Sequence, residues 1–194
     1  MLYLIYYQYM KKSLIIVIAV LVLVGSSLTG TYNSLVTDSQ KVDGQWAQVE
    51  TQYQRRFDLI PNLVGATKGI FEQEKEVFGK LAEARQGYSG AQTPTQKAAA
   101  ATQVESALSR LLVIVENYPD LKSDRAVLSL TDELAGTENR VSVERKRYND
   151  TVLVFNTKVK RFPTNLIAPI FGFDARPYFE AIESASEAPK VDFQ

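Results

Sequence analysis

Arg56, Glu74, Glu138 and Arg145 are the residues with most chemistry to offer, because they fall on or beside positions where apolar residues otherwise recur at helical spacing. An unpaired charge there would cost several kcal/mol, so each needs a partner. Two readings follow. In the first, the four make ion pairs and hydrogen bonds that fix which helix faces which, as polar core positions do in coiled coils. In the second, Glu74 lies about 13 residues past Pro61 and Glu138 about 15 past Ser123, so at about 1.5 Å per residue they reach similar heights. Two inward carboxylates at one level could hold a cation or share a proton. Lys75, Arg140 and Arg145 are near enough to neutralise them and no Glu-x-x-His motif exists, which favours the first reading.

The rest of the composition narrows the chemistry further. There is no histidine and no cysteine, which removes Ser-His-Asp catalysis, thiol nucleophiles, disulfides and histidine- or thiolate-bound zinc. Any metal site would be carboxylate-only. Lys+Arg 22 balances Asp+Glu 22, so no net field draws in nucleic acid, and no P-loop, dinucleotide fingerprint or nucleic-acid module is present. The expectation is a non-enzymatic protein with no cofactor and no nucleic-acid partner.

The elements that must position these charges are long helices. Tyr32, Leu35, Ser39, Val42, Trp46, Val49, Tyr53, Arg56 and Ile60 follow a three-and-four spacing, the a/d seam of helices packed at a shallow angle. The stretch Arg55-Arg56-Phe57-Asp58-Leu59-Ile60-Pro61-Asn62 then interrupts it, and Pro61 suits the first turn of a return helix. Arg55 or Arg56, Asp58 and Asn62 are expected to tie the two helix ends together; a docking tip for a partner is the functional alternative.

A second stripe runs through Thr67, Ile70, Glu74, Val77, Leu81, Ala84 and Tyr88, flanked by Phe71, Phe78 and Arg85, to the break at Gly87-Tyr88-Ser89-Gly90. A third begins near Thr93-Pro94 and carries Ala101, Val104, Leu108, Leu111, Val115 and Tyr118. The fourth, capped by Ser123 or Asp124, repeats every seven residues through Val127, Leu134, Val141, Tyr148, Phe155 and Phe162. Short connections between long helices predict an all-α, antiparallel up-down-up-down four-helix bundle over 33–162, with the fourth helix overhanging or bending. Residues 163–194 read as an irregular tail packed on the bundle, and Tyr148-Asn149 as a hydrogen-bonding pair near its membrane end.

Ahead of the bundle, Ser13 to Tyr32 is free of charge and about 20 residues long, enough to cross a bilayer core of roughly 30 Å. A cleaved signal peptide is the competing reading, but Gly25-Ser26-Ser27-Leu28-Thr29-Gly30 offers no Ala-x-Ala site, which favours a lasting anchor. Lys11-Lys12 on one flank place residues 1–12 in the cytoplasm and the bundle outside. The lipid bilayer is thus the first partner, through residues 13–32.

Six stretches, in order along nearly everything after the anchor, carry a family likeness: Tyr32-Asn33-Ser34-Leu35-Val36, Arg55 to Val64, Tyr118 to Lys122, Thr137-Glu138-Asn139-Arg140, Tyr148-Asn149 and Gly172-Phe173. On these the chain resembles the LemA family of bacterial membrane-anchored proteins. The resemblance implies a transmembrane helix leading into a four-helix domain, no enzymatic activity, and a place in the bacterial cell membrane or envelope. It also implies relatives associated with magnetosome membranes and others encoded near membrane proteases, which makes envelope proteins, a membrane protease among them, the expected partners. Self-association into a membrane-organising assembly is a further alternative. Met10-Lys11-Lys12 resembles an ordinary bacterial start, with Met1 to Tyr9 as an upstream extension. The chain departs from the family pattern at Gln73-Glu74, where many relatives carry His-Glu.

Overall fold

The computed structural model describes residues 2–70 and 72–179, which form helices and connections without a strand. Met1, Phe71 of the second stripe, and residues 180–194 of the expected tail lie outside the described residues. Helix α1 covers Leu2–Ala66, a 3-10 turn Lys68–Ile70, α2 Lys75–Gly90, α3 Pro94–Asn117, the single turn α4 Pro119–Lys122, α5 Arg125–Lys160 and the short α6 Thr164–Ile167, followed by a 3-10 turn at Ala168–Phe171. The chain divides into two compact units, one of residues 1–42 with 153–176, the other of 43–152 with the segment from Pro177 onward.

In the larger unit the apolar stripes of α1, α2, α3 and α5 build one core. Val49, Tyr53, Leu63, Leu81, Val104, Leu108, Leu111, Val127, Leu134 and Val141 are almost fully buried. Contacts fix the helix directions pairwise. Gln45 of α1 donates to Glu144 of α5 at 2.7 Å and Arg56 pairs with Glu138, so the two helices run antiparallel. Glu50 and Tyr53 of α1 meet Lys97 and Glu105 of α3, so these run parallel. A three-residue connection folds α2 back on α3.

The helix ends follow their capping chemistry. Thr93 and Gln96 form a reciprocal capping box ahead of α3, with Pro94 in its first turn. Asp124 caps α5, its Oδ1 accepting the amides of Ala126 at 2.8 Å and Val127 at 3.1 Å. Ser123, the other candidate, instead donates back to Pro119 O at 2.9 Å.

The expected reversal at Pro61 is corrected. α1 continues through Pro61 to Ala66, and the 3-10 turn Lys68–Ile70 follows it. Proline within a helix costs about 3 kcal/mol, whereas burying a leucine or isoleucine returns roughly 1.5–3 kcal/mol each. The stripe continues past the proline through Leu63, Thr67 and Ile70, all buried, and Thr67 ends the helix with its hydroxyl on Leu63 O at 2.8 Å. Pro61 itself is exposed. The second helix accordingly starts at Lys75 rather than at Pro61, and Phe78 rather than Val77 is its buried residue there.

In the smaller unit, Leu35, Ser39 and Val42 of α1 and Phe155 and Val159 of α5 are buried. Lys158 donates to Ser34 and, at 2.7 Å, to Asp38. The end of α5 expected to overhang is thus supported by α1. In α1, residues Leu14 to Val24 are exposed throughout, within a stretch long and apolar enough to cross a membrane. Phe162, expected to close the fourth stripe, lies past the end of α5 and is 74% exposed.

Because α1 is continuous through Pro61, Pro61→Ala restores a backbone donor at an exposed helix position and raises stability by about 1 to 3 kcal/mol, read as a higher Tm. A lower Tm would place the chain reversal at Pro61.

Candidate functional site

Two guanidinium groups lie inside the larger unit, and three helices supply what they need. Arg56 of α1, 5% exposed, pairs through Nη1 with Glu138 of α5. Arg145, one heptad further along α5, donates from Nε to Tyr53 Oη at 2.8 Å and pairs through Nη2 with Glu105 of α3. Tyr53 Oη in turn donates to Glu105 Oε1 at 3.1 Å, closing a Tyr-Glu-Arg triangle. The Arg145 guanidinium also lies 5.4 Å from the Tyr53 ring centroid and 4.5 Å from that of Phe179, within cation-π range of both.

Burial leaves its mark on these groups. It pushes the Arg56 guanidinium below its ordinary value, against the pull of Glu105. The Nε of Arg56 has no hydrogen-bond partner. Burial and then Glu105 push Tyr53 far above the ordinary phenol range. Tyr88 of α2, whose ring meets Phe57 at 4.6 Å and Tyr53 at 5.7 Å, is pushed up to about 12 by burial and the charge of Glu50.

Only part of the set singled out by sequence comes together here. Glu138 and Arg145 join the cluster with Arg56. Glu74 is engaged elsewhere, accepting from Tyr118 Oη at 3.2 Å, so the two carboxylates expected at one level have different partners. Among the described residues no group of three or more carboxylates forms a metal-binding set. Arg55 and Asn62 are exposed on α1, and Asp58 accepts from Gln54 at 2.8 Å on the same helix. The expected tie between helix ends therefore reduces to Arg56, which reaches α5 instead. Asn139 is exposed.

Tyr148 and Asn149 hold the tail rather than each other. Tyr148 Oη donates to Pro177 O at 3.1 Å, while the Asn149 amide donates to Phe179 O at 2.9 Å and accepts from Phe179 N at 2.8 Å. Asn149 thereby pairs with the extended tail as a neighbouring strand would. This seats Phe179 against Trp46, at 6.2 Å, and Tyr53, at 6.4 Å. In the smaller unit Asn156 does the same to Arg176, at 2.8 and 2.7 Å. Sequence reasoning missed Tyr53 as a polar hub, Glu105 and Phe179. Glu105 directly follows the stripe residue Val104, which was the available signal.

One groove of about 760 Å³ opens in the larger unit between α1 and α2. Ile60, Val64, Phe78 and Leu81 give it an apolar lining, and Lys75 and Arg85 add two cations.

These features define a class: an all-helical protein with a charge-paired interior and a long apolar N-terminal helix. The chain belongs to the LemA family, whose sequence profile matches residues 45–193. It is similar to Magnetosome protein MamQ 2 of Paramagnetospirillum magneticum, 26% identical over 91% of this chain and 75% of that protein. Protein LemA of Metamycoplasma hominis is 26% identical over 84% of this chain and 73% of its own. Magnetosome protein MamQ of Magnetospirillum gryphiswaldense is 25% identical, covering 92% of this chain and 75% of that protein.

The cluster is asymmetric, which gives two expectations. Glu138→Ala strands the buried Arg56 charge and costs about 3 kcal/mol or more in urea denaturation, whereas Arg56→Met costs under about 1 kcal/mol. The contrast arises because the Glu138 side chain is 43% exposed and can be hydrated alone, while that of Arg56 is 7% exposed. Equal costs would refute it. The tyrosines act at high pH: the unfolded phenol ionises near 10.0 while folded Tyr88 holds its proton to about 12. Their contribution is complete below the unfolded value and falls as pH rises through the folded one. Urea titrations between these limits should therefore show a smaller alkaline loss in Tyr88→Phe than in the parent chain.

Proposed function

We propose that this chain is a single-pass protein of the bacterial cell membrane, with a cytoplasmic N-terminus and an extracytoplasmic, up-down-up-down four-helix domain that serves as a non-enzymatic scaffold for other membrane or envelope proteins. The observation that carries the reading is α1 itself. A charge-free stretch, exposed along its length, runs in the same helix as the seam that packs the domain. Exposed Val, Leu and Ile in a row suit hydrocarbon, and the Lys11-Lys12 flank suits the cytoplasmic side.

A binding role is supported by how the polar groups are used. Arg145, Glu105 and Tyr53 are committed to one another, and Arg56 to Glu138, so the interior chemistry specifies packing. The α1/α2 groove, with its apolar lining and two cations, offers a partner surface of the kind that takes an acidic, partly apolar segment. Likeness to LemA and to proteins named for the magnetosome is consistent with work at a membrane.

A photo-crosslinking residue in place of Gln86, which lines the groove, tests this in native membranes. The expected result is membrane residence that survives alkaline carbonate, with a discrete crosslinked protein that disappears in Arg85→Glu while residence is unchanged. Recovery of the intact chain in the soluble fraction would overturn the anchor, and capture indifferent to Arg85 would overturn the groove.

A further inference from the structure

Past the end of α5 the smaller unit turns four large apolar side chains outward within ten residues. Phe162 is 74% exposed, Leu166 61%, Ile170 77% and Phe171 48%. Single exposed apolar residues are ordinary, but a cluster of this size on a packed element marks a contact surface. The segment is not loosely attached. Ala168 beneath it is fully buried, Phe173 N donates to Ala168 O at 2.9 Å, and Gly172, at φ 74°, closes the turn in a conformation that suits glycine. Asn156 then clamps Arg176, whose guanidinium reaches Ser39 of α1 at 3.2 Å.

What this surface faces is set by Tyr32. The Tyr32 ring lies 5.0 Å from that of Phe171 and 5.9 Å from that of Phe173. Counted from Ser13, where a charge-free stretch that runs to Thr37 begins, Tyr32 is the twentieth residue. About 20 helical residues span roughly 30 Å, so Tyr32 marks the depth at which α1 leaves hydrocarbon, where tyrosine is favoured. The apolar cluster is tied to that depth. Lys160 and Arg161, both exposed, stand immediately before it.

We propose that residues 162–171 form an interfacial foot: Phe162, Leu166, Ile170 and Phe171 seat at the headgroup–acyl boundary of the leaflet from which α1 emerges, with Lys160 and Arg161 toward lipid phosphates. The foot rests on the anchor reading given above. It is continuous with the membrane contact of α1, which selects lipid over a protein as its occupant, and it matches the apolar face and basic flank of interfacial helices. Anchored at two points, the smaller unit has a fixed stance on the bilayer.

The absence of native cysteine allows one environment-sensitive fluorophore to be placed at a time. Full-length Leu166→Cys and Ile170→Cys, each labelled, are reconstituted in phosphatidylethanolamine/phosphatidylglycerol vesicles beside Val17→Cys in the span and Thr51→Cys on the exposed face of α1. The proposal expects blue-shifted emission at 166 and 170 that a shallow lipid-borne nitroxide quenches and aqueous iodide spares, deep quenching at 17, and iodide quenching alone at 51. Iodide quenching at 166 and 170 equal to that at 51, with 17 still quenched by lipid, overturns the foot and leaves the anchor standing. Protection at 166 and 170 from both quenchers means a protein, such as a second copy, covers the face, and also overturns it. Loss of lipid quenching at 17 removes anchor and foot together.

Discussion

Two arginines inside a helical core impose the strictest condition on this molecule. Each guanidinium loses most of its hydration on folding, and helix-to-helix packing alone cannot return it. Carboxylates from other helices must therefore arrive in register: Glu138 for Arg56, Glu105 for Arg145. Because Arg145 sits on α5, Glu105 on α3 and Tyr53 on α1, sliding any of these helices by one turn would separate the partners by about 5.4 Å. An apolar seam tolerates such a slip far better, since leucine packs against leucine one turn along. The charges thus select one register among several that the seam allows.

How much of this was legible depended on the kind of signal. The heptad positions of α3 and α5 transferred directly, with Val104, Leu108, Leu111, Val127, Leu134 and Val141 buried as their spacing requires. The charged positions that had to be partnered were legible too, since Arg56, Glu138 and Arg145 interrupt those stripes. The partner of Arg145 was not. Glu105 lies beside its stripe in a way many surface residues do, and only the third dimension brings it to Arg145. At Pro61 a strong local rule was outweighed by a longer pattern, because the stripe resumes at Leu63 and Thr67. A single breaker residue says less than the periodicity on both sides of it.

The tail shows a different limit. Periodicity is silent about extended segments: Asn149 reads as a partner of Tyr148, and nothing in the sequence distinguishes Asn156. They are one heptad apart, and each offers a side-chain amide to an extended backbone, a donor and acceptor pair that imitates a strand. This solves the accounting problem of a strand-like segment with no sheet, whose amides and carbonyls would otherwise need water. It also places Phe179 over Arg145, where the ring shields the guanidinium at 4.5 Å. Residues 177–179 therefore complete the larger unit's interior.

The same accounting bears on how the protein responds to its surroundings. With no histidine, no side chain has an ordinary titration between pH 5 and 8. The fold moves Asp38, Tyr53 and Tyr88 further from that range. Burial alone would raise Asp38, yet hydrogen bonds from Lys158 and Lys41 outweigh it and hold the carboxyl below its ordinary value. Its contribution is thus present above the unfolded value of 3.8 and is lost only as pH falls through the lower folded one. Tyr53 and Tyr88 are displaced upward and act only in strong alkali. Between these limits Asp38, Tyr53 and Tyr88 keep their charge states.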